Sequence, residues 1–297
     1  MALTTGSSAT QTTALGNSYV KMMKLIIMAK AKLVNKIGTS ENPVQKHHTW
    51  TYDSIAIPSS VNASTEGADE ATEAPVDLGE GANDCQIINK GYSISGTQAK
   101  TLYQGVDNYL LLQKKKAIET IGLDLEWAVL NGTGRSTGAR EMKGIRAFAS
   151  ANTACSATAT STTFSASAGE DALNSILSSM WLKGALADLV IVSSTNKGRI
   201  DKWSGYNTRF QDTKDGKLVS TLSVYAAKTT EVEILMHAMA NDTNVYAIVS
   251  EDKKVAYFRT PYTKMLPESM DGIPFVARME ATLEDRGPYS SAYVVIS

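Results

Sequence analysis

The sequence contains few of the residues that build disulfide, metal or cofactor sites. Among 297 residues there are only two cysteines, Cys85 and Cys155, and they lie far apart without a CxxC motif. This pattern suggests neither a disulfide framework nor a cysteine metal site, and it fits a reducing, intracellular setting. Of the three histidines, adjacent His47 and His48 would point to opposite faces of a strand, and His237 has no HxxxH or HExxH context. We therefore expect no metal and no cofactor.

Long hydrophobic runs and excess charge of one sign are also missing. No stretch of about 18 uncharged apolar residues exists, so a membrane span is not indicated. The first apolar stretch is interrupted by lysines, unlike a signal peptide. A formal net charge of -1 excludes a strongly basic nucleic-acid-binding protein. Neither a GxSxG motif nor a GK[ST] phosphate loop occurs, so an enzymatic function has no anchor in the sequence.

The dominant pattern is a long helical segment, Thr97 to Asn131. Apolar side chains recur there at three-and-four spacing, which places them on one helix face. That face comprises Leu102, Val106, Tyr109, Leu110, Gln113, Ala117, Ile121, Leu125 and Ala128. Ser95 and Thr97 are candidate N-caps, and Gly132 is a candidate for the left-handed residue that ends the helix. The pattern predicts one continuous rod.

Three charged residues, Lys115, Glu119 and Glu126, mark the line of this helix that we expect to face solvent. Gly105 and Gly122 each cost about 1 kcal/mol relative to alanine inside a helix. The favoured interpretation of both glycines is the close approach of another backbone, and the alternative is a hinge.

The amino-terminal part divides into an uncharged arm and a basic helix. Residues Met1 to Asn17 are rich in Ser, Thr and Ala and carry no charge, which is typical of an extended arm. Val20 to Ile37 places apolar residues on one face and lysines on another. The favoured interpretation is a helix docked on protein with solvated lysines, and the alternative is a helix lying on a membrane.

An acidic segment follows, flanked by strand-like stretches at Thr49 to Ile57 and Ile87 to Ser95. Pro58 to Asp84 has seven acidic residues, no Lys or Arg, and only three large apolar side chains. Such a segment cannot bury enough surface to order itself. The sequence therefore predicts a projecting hairpin whose partner is another molecule, because an isolated hairpin is marginal in water.

The charges of the two amino-terminal regions are complementary. Met1 to Trp50 carries six Lys and one Glu, whereas Thr51 to Ala99 carries eight acidic residues and one Lys. Opposite charges on one chain suit contacts between neighbouring copies. The candidate intersubunit contacts are Lys21, Lys24, Lys32, Lys36, Trp50, Glu66, Asp69, Glu70 and Glu73.

The rest of the chain alternates helix and strand and then becomes rich in strands. We expect a helix from Gly169 to Lys183 with Trp181 on its apolar face, a buried strand in LADLVIVSS, and a helix capped by Ser194 or Thr195. The later strands are expected at Lys217 to Ala226, Glu231 to Met236, Val245 to Ser250, Val255 to Phe258, Phe275 to Leu283 and Ala292 to Ile296.

A basic group lies in and after the loop NGTGRSTG. It comprises Arg135, Arg140, Lys143 and Arg146. These side chains are candidates for non-specific contacts with DNA phosphates. The more common arrangement of such a group is pairing with acidic neighbours.

The order of these parts resembles the major capsid proteins of tailed bacteriophages. The strings NDCQIINKGYSISGTQAK, DLEWAVLNG and MKGI resemble a family of phage major head proteins, and EGADEA and ALADLVIVSSTNKGRI also fit. The resemblance implies an α+β, Hong Kong 97-type fold. Its implied parts are an N-terminal arm (1–45), an E-loop (46–97), a P-domain with a spine helix (98–168), an A-domain (169–236) and a β-rich return (237–297).

The implied function is an icosahedral head shell around double-stranded DNA, with no catalytic residues. The implied partners are further copies in pentamers and hexamers, with scaffolding, portal and decoration proteins as candidates. The expected location is the virion, after assembly in the bacterial cytoplasm. The alternatives are an encapsulin-like compartment and a peripheral membrane protein that binds through Val20 to Ile37.

Overall fold

The computed structural model describes residues 33–53, 63, 66–67, 78–101, 108–134, 138–165, 167–203, 211–212, 217–218, 224–267 and 271–297. The described helices are α1 (Leu33–Ile37), α2 (Gly96–Lys100), α3 (Tyr109–Asn131), α4 (Ile145–Ala151), α5 (Ser167–Leu182) and α6 (Ser194–Ile200). Short 3-10 turns span Thr153–Cys155 and Thr163–Ser165.

Thirteen strands lie in the described part of the chain. They are β1 (His47–Tyr52), β2 (Gly79–Asp84), β3 (Gln86–Ser95), β4 (Ser156–Ala159), β5 (Leu189–Val192), β6 (Gln211–Asp212), β7 (Lys217–Leu218), β8 (Val224–Ala226), β9 (Glu231–Met236), β10 (Asn244–Ile248), β11 (Lys253–Met265), β12 (Gly272–Asp285) and β13 (Ser291–Ile296). The fold is α+β, as the resemblance to phage head proteins implies.

The strands form two larger sheets. One is antiparallel with the order β11-β12-β3, and α3 packs across it. The other has the order β4-β13-β10-β5-β9-β8, with parallel pairs at β13–β4 and β5–β9. Strands β1 and β2 pair with each other in a separate two-stranded sheet, and β6 pairs with β7.

Successive residues of the six-stranded sheet face two different hydrophobic cores. In β5, Leu189 and Ile191 join the core beneath α3, whereas Val190 and Val192 join the core beneath α5. This alternation follows from the two-residue period of a strand. Because both faces are covered, β5 reads as a continuous apolar run.

The long helix is interrupted. Helix α2 ends at Lys100 with extended backbone at Thr101, and α3 begins after Asn108, whose side chain accepts the N–H of Leu111. One continuous rod from Thr97 to Asn131 is therefore wrong. Within α2, Ser95 is the N-cap, as expected.

The residue that ends α3 is not left-handed. Gly132 has φ -52° and ψ 133°, so its backbone conformation suits any residue. Glycine is needed for space, because a Cβ there would lie 2.5 Å from the Met142 carbonyl oxygen and 2.6 Å from that of Ala128. By contrast, a Cβ on Gly122 would meet no atom within 4 Å, so the close-approach interpretation of Gly122 is wrong. Gly105 lies outside the described residues.

Two further expectations are corrected. Ser193, not Ser194 or Thr195, caps α6, because its side chain accepts the N–H of Asn196. Trp181 is 53% exposed and does not share the buried face of α5, which comprises Leu173, Ile176, Leu177 and Met180.

The strand that pairs with β1 also differs from the expectation. Ile87 to Ser95 lies within β3, which pairs with β12 in the body, whereas β1 pairs with β2. The hairpin therefore closes one strand earlier than predicted. Of the expected amphipathic helix Val20 to Ile37, only Leu33–Ile37 lies within the described residues, and it is helical.

Candidate assembly site

The base of the hairpin is built from aromatic residues on β1 and glycines on β2. Trp50 pairs with Gly81, and Tyr52 pairs with Gly79. A Cβ at Gly81 would lie 2.4 Å from Trp50 Nε1, and one at Gly79 would lie 2.2 Å from the Tyr52 ring. The glycines thus leave room for two rings to lie across the neighbouring strand.

Asn83 fastens β2 to the body. Its Nδ2 donates to the carbonyl oxygens of Lys143 (2.9 Å) and Leu283 (2.8 Å), and its Oδ1 accepts the N–H of Lys143 (2.8 Å). Asn83 is 2% exposed. One buried amide therefore joins β2 to the loop before α4 and to β12, with its polar groups satisfied.

Trp50 fastens β1 to the same strand. Its Nε1 donates to the carbonyl oxygen of Asp285 at 2.7 Å. The ring also packs against Phe148, with ring centroids 6.5 Å apart. Both strands of the hairpin base are thus attached at the carboxyl end of β12.

Glu284 joins the segment before the hairpin to the hairpin itself. Ser40 Oγ and His48 Nε2 both donate to Oε1 at 2.6 Å, and Arg286 Nη2 donates to Oε2 at 2.9 Å. Burial alone would raise the pKa of Glu284, but these hydrogen bonds hold the pKa below its usual value of 4.5. The carboxylate is therefore charged while only 4% of the residue is exposed.

This depressed pKa predicts the pH dependence of a Glu284→Gln variant. Because the folded-state pKa lies below 4.5, the contribution of the carboxylate to stability is complete above that pH and is lost as the pH falls through the folded-state value. At about pH 7 we expect the substitution to lower the free energy of unfolding by about 1–3 kcal/mol. Urea unfolding of the unassembled protein measures this loss, which should shrink in acid. An equal loss at about pH 7 and about pH 3 would contradict the assignment.

A second buried carboxylate, Glu126 of α3, holds α1. Its Oε1 accepts the backbone N–H of Leu33 at 2.7 Å, and its Oε2 accepts that of Val34 at 3.1 Å. His237 Nε2 donates to Oε1 at 2.9 Å, while His237 Nδ1 accepts the N–H of Met239. That acceptor role leaves the imidazole proton on Nε2.

Glu126 is 0% exposed and remains ionised. Burial would raise its pKa, but the hydrogen bonds from His237, Leu33 and Val34 hold the pKa below 4.5. The first described residues of the chain are therefore tied to α3 by a charged group. An ion pair between Lys36 and Glu233 adds a more exposed contact between α1 and β9.

A third buried carboxylate lies in the middle of β12. Glu280 accepts from Arg259 Nε at 2.8 Å and from Arg140 Nη2 at 3.3 Å. The hydrogen bond from Arg259 is the main reason that the pKa of Glu280 is lowered. The basic loop that follows α3 is thereby attached to the three-stranded sheet.

The side chains of this site attach segments of the chain to the body. The described residues contain no group of three His, Cys, Asp or Glu side chains that could hold a metal ion. Within the same ranges, no helix is long and apolar enough to cross a membrane. The buried groups fix the places where the amino-terminal segment and the hairpin leave the body.

The family model of the SU10 major capsid protein matches residues 3–295. The chain belongs to the SU10 major capsid protein family. A search of curated proteins found no match to this capsid protein. Members of this family are structural capsid proteins. The match favours a phage head shell over the encapsulin-like and membrane alternatives.

Solved phage capsid structures share the fold over nearly the whole chain. A structure of Mycobacterium phage Bobi has a TM-score of 0.62 at 12% identity and covers 96% of each chain. The capsid of Myoviridae phage XM1 has a TM-score of 0.63 at 11% identity, covering 95% of this chain and 97% of that one. The mature capsid of bacteriophage PhiM1 has a TM-score of 0.61 at 10% identity, covering 95% and 91%. The capsid protein has the Hong Kong 97-type fold and builds the head shell of a tailed phage.

The structure places only some of the predicted contact residues. Lys36 pairs with Glu233, Trp50 donates to Asp285 within the same chain, and Glu66 is exposed. The others lie outside the described residues: Lys21, Lys24, Lys32, Asp69, Glu70 and Glu73. Intersubunit contacts by this set remain predictions.

The predicted basic group is divided. Lys143 and Arg146 are exposed, whereas Arg140 pairs with Glu280. Arg135 lies outside the described residues. Pairing with an acidic neighbour, the common alternative, therefore applies to Arg140.

Sequence reasoning missed the three residues that anchor the site. Glu126 was expected to face solvent and is fully buried, so that expectation is wrong. A signal was available, because its neighbours one turn away are Gly122, Leu123, Val129 and Leu130. Asn83 and Glu284 carry no comparable signal, since their partners are distant in sequence.

Proposed function

We propose that copies of the capsid protein form the pentamers and hexamers of an icosahedral shell around double-stranded DNA, held together by exchanged segments. The E-loop of one copy lies over the P-domain of a neighbour, the N-terminal arm reaches beneath an adjacent copy, and A-domains gather at the five-fold and six-fold axes. The division is arm 1–45, E-loop 46–97, P-domain 98–168, A-domain 169–236 and return 237–297.

The observation that carries this proposal is the hairpin base. Strands β1 and β2 pair only with each other among the described residues, and both are fastened to the end of β12. The acidic segment between them is too poor in apolar side chains to fold by itself. The hairpin base is held by the body, and the acidic segment that it carries needs a partner. This combination suits an interface between copies. We expect each such interface to exceed about 2,000 Å², the range of obligate assemblies.

A charge swap tests the exchange. Replacing Glu66, Asp69, Glu70 and Glu73 by lysine is expected to abolish closed particles in negative-stain microscopy and sedimentation, because the lysine-rich arm would meet like charge. Combining these changes with glutamate at Lys21, Lys24 and Lys32 should restore particles if the two regions pair, and Lys36 is left unchanged because it pairs with Glu233 of its own chain.

The matched control reverses the charge of exposed Asp171 and Glu251, two acidic residues outside both regions. Wild-type yields of particles from the four-lysine variant would contradict the proposed role of the acidic segment. A combined variant that folds but forms no particles would exclude the lysine-rich arm as the partner of the acidic segment.

Contacts with DNA are proposed for Arg135, Lys143 and Arg146 through phosphates, with Arg140 retained by Glu280. The proposal also includes assembly in the bacterial cytoplasm and contacts with scaffolding, portal and decoration proteins.

We also propose that α3 bends at Gly122 between an early and a mature shell. Normal expansion of a Gly122→Ala shell would contradict this bending.

A further inference from the structure

A buried amine and a buried carboxylate meet at the open end of the β11–β12 pair. Lys253 begins β11, Asp285 ends β12, and the two residues are direct cross-strand partners. The Lys253 side chain is 0% exposed and that of Asp285 is 8% exposed. Lys253 Nζ donates to Asp285 Oδ1 and to Ser290 Oγ. The proposed shell assembly makes no use of these three side chains.

The hydroxyl of Ser290 connects the amine to the acid. It accepts from Lys253 Nζ, and it donates to Asp285 Oδ1, the oxygen that the amine also contacts. A proton can therefore pass from the ammonium through the hydroxyl to the carboxylate. Such a transfer removes the charge from the amine.

Burial disfavours the charged form of the Lys253 amine. Removing an ammonium from water is costly unless attraction to its partner compensates. Burial lowers the pKa of Lys253, and the attraction of Asp285 only partly opposes this. A neutral amine has the free electron pair that a nucleophile requires.

We propose that Lys253 and Asp285 condense to an intramolecular isopeptide bond. The Nζ electron pair forms a bond to Asp285 Cγ, and the bond between Cγ and one carboxyl oxygen breaks. That oxygen leaves as water, taking one proton transferred through Ser290 and one from the attacking amine. The ammonium and carboxylate thus become one amide and one water, with no change in oxidation state.

The bond would join β11 and β12 covalently at the end to which the hairpin is attached. Asp285 also offers its backbone oxygen to Trp50. The root of the hairpin would then lie on a covalently closed pair of strands, and local opening of that end would be suppressed.

The test is the intact mass of the full chain, taken from assembled shells and measured after denaturation. The expected mass is lower than the sequence mass by one water molecule, and peptide mapping should recover Lys253 joined to Asp285. A wild-type mass equal to the sequence mass overturns the proposal. The internal control is Lys197 and Asp201, which also lie 2.5 Å apart but in a more exposed position and should be recovered unlinked.

Variants distinguish this bond from other losses of water. Asp285→Asn should lose ammonia instead of water relative to its own sequence mass, because the leaving group is then an amide nitrogen. Lys253→Arg should retain its full sequence mass. Loss of water that persists in Lys253→Arg would overturn the assignment. If either variant fails to fold, the wild-type mass and peptide map decide alone.

Discussion

Replacing Glu126 by alanine is expected to lower the free energy of unfolding by about 3–5 kcal/mol, the cost of removing one partner from a buried charged network. The substitution leaves three donors without their acceptor, namely the buried N–H of Leu33, the half-buried N–H of Val34 and the buried Nε2 of His237. Each unsatisfied donor costs about 1–3 kcal/mol. Urea unfolding of the unassembled protein measures the change.

The matched control is Glu119→Ala on the same helix. Glu119 is partly exposed, and we expect its loss to change stability by less than about 0.5 kcal/mol. Glu126→Ala should also free the amino-terminal segment, so hydrogen exchange at Leu33 and Val34 of α1 should rise more than at the amides of α3. Equal effects of the two substitutions would contradict the role of Glu126 as the anchor of α1.

Replacing Gly132 by alanine is expected to destabilise the capsid protein by about 3 kcal/mol, at the upper end of the usual cost of overpacking. The added Cβ would lie 2.5 Å from the Met142 oxygen, 2.6 Å from the Ala128 oxygen and 3.0 Å from the Gly144 nitrogen. All three are backbone atoms, so no side chain can rotate away. The hydrogen bond from Gly144 N–H to the Gly132 oxygen, now 2.9 Å, should lengthen or break.

Gly122→Ala provides the control, because it makes the same chemical change in the middle of α3. The new methyl group would meet open space there, and alanine favours a helix by about 1 kcal/mol relative to glycine. We therefore expect opposite signs for the two substitutions in thermal and urea unfolding. A destabilising Gly122→Ala, or a neutral Gly132→Ala, would contradict the open space at Gly122 or the close backbone packing at Gly132.

The local hydrophobic pattern was sufficient to locate the strands that bury one face against a core. Glu231 to Met236 was predicted with its observed bounds, and the strands after Val245 were found to within a few residues at most ends. Strand β11 extends further than predicted, to Met265. Its later residues are mostly half-buried or exposed, so hydrophobic alternation gave no signal for them.

It was harder to predict from the sequence which distant segments pair with each other. Ile87 to Ser95 has a strand pattern, but nothing in that pattern distinguishes β1 from β12 as its partner. The hairpin base depends on two glycines of β2 that lie beside two aromatic residues of β1. This arrangement can be recognised only once the register of the two strands is known. Long-range polar anchors such as Asn83 have the same limitation.

The break in the long helix shows how periodicity can mislead. Apolar spacing continues from Leu102 to Ala128 in the sequence, yet Thr101 has extended backbone and Asn108 caps a new helix. Asn108 is a favourable N-cap residue, and weighting it above the periodicity would have placed the start of α3 correctly. At Gly132 the sequence indicated a helix end but not its cause, which is the proximity of the Met142 and Ala128 carbonyls.

The position of β13 in the six-stranded sheet constrains when the protein can fold. This strand lies between β4 and β10 in the sheet. Strand β4 is far earlier in the chain than β13. The ribosome makes β4 and β10 before β13, so the edge of each strand that pairs with β13 stays unpaired until β13 emerges. Subunits interrupted during translation therefore lack a closed sheet, and only a chain carried through β13 offers the finished body from which a head can be built.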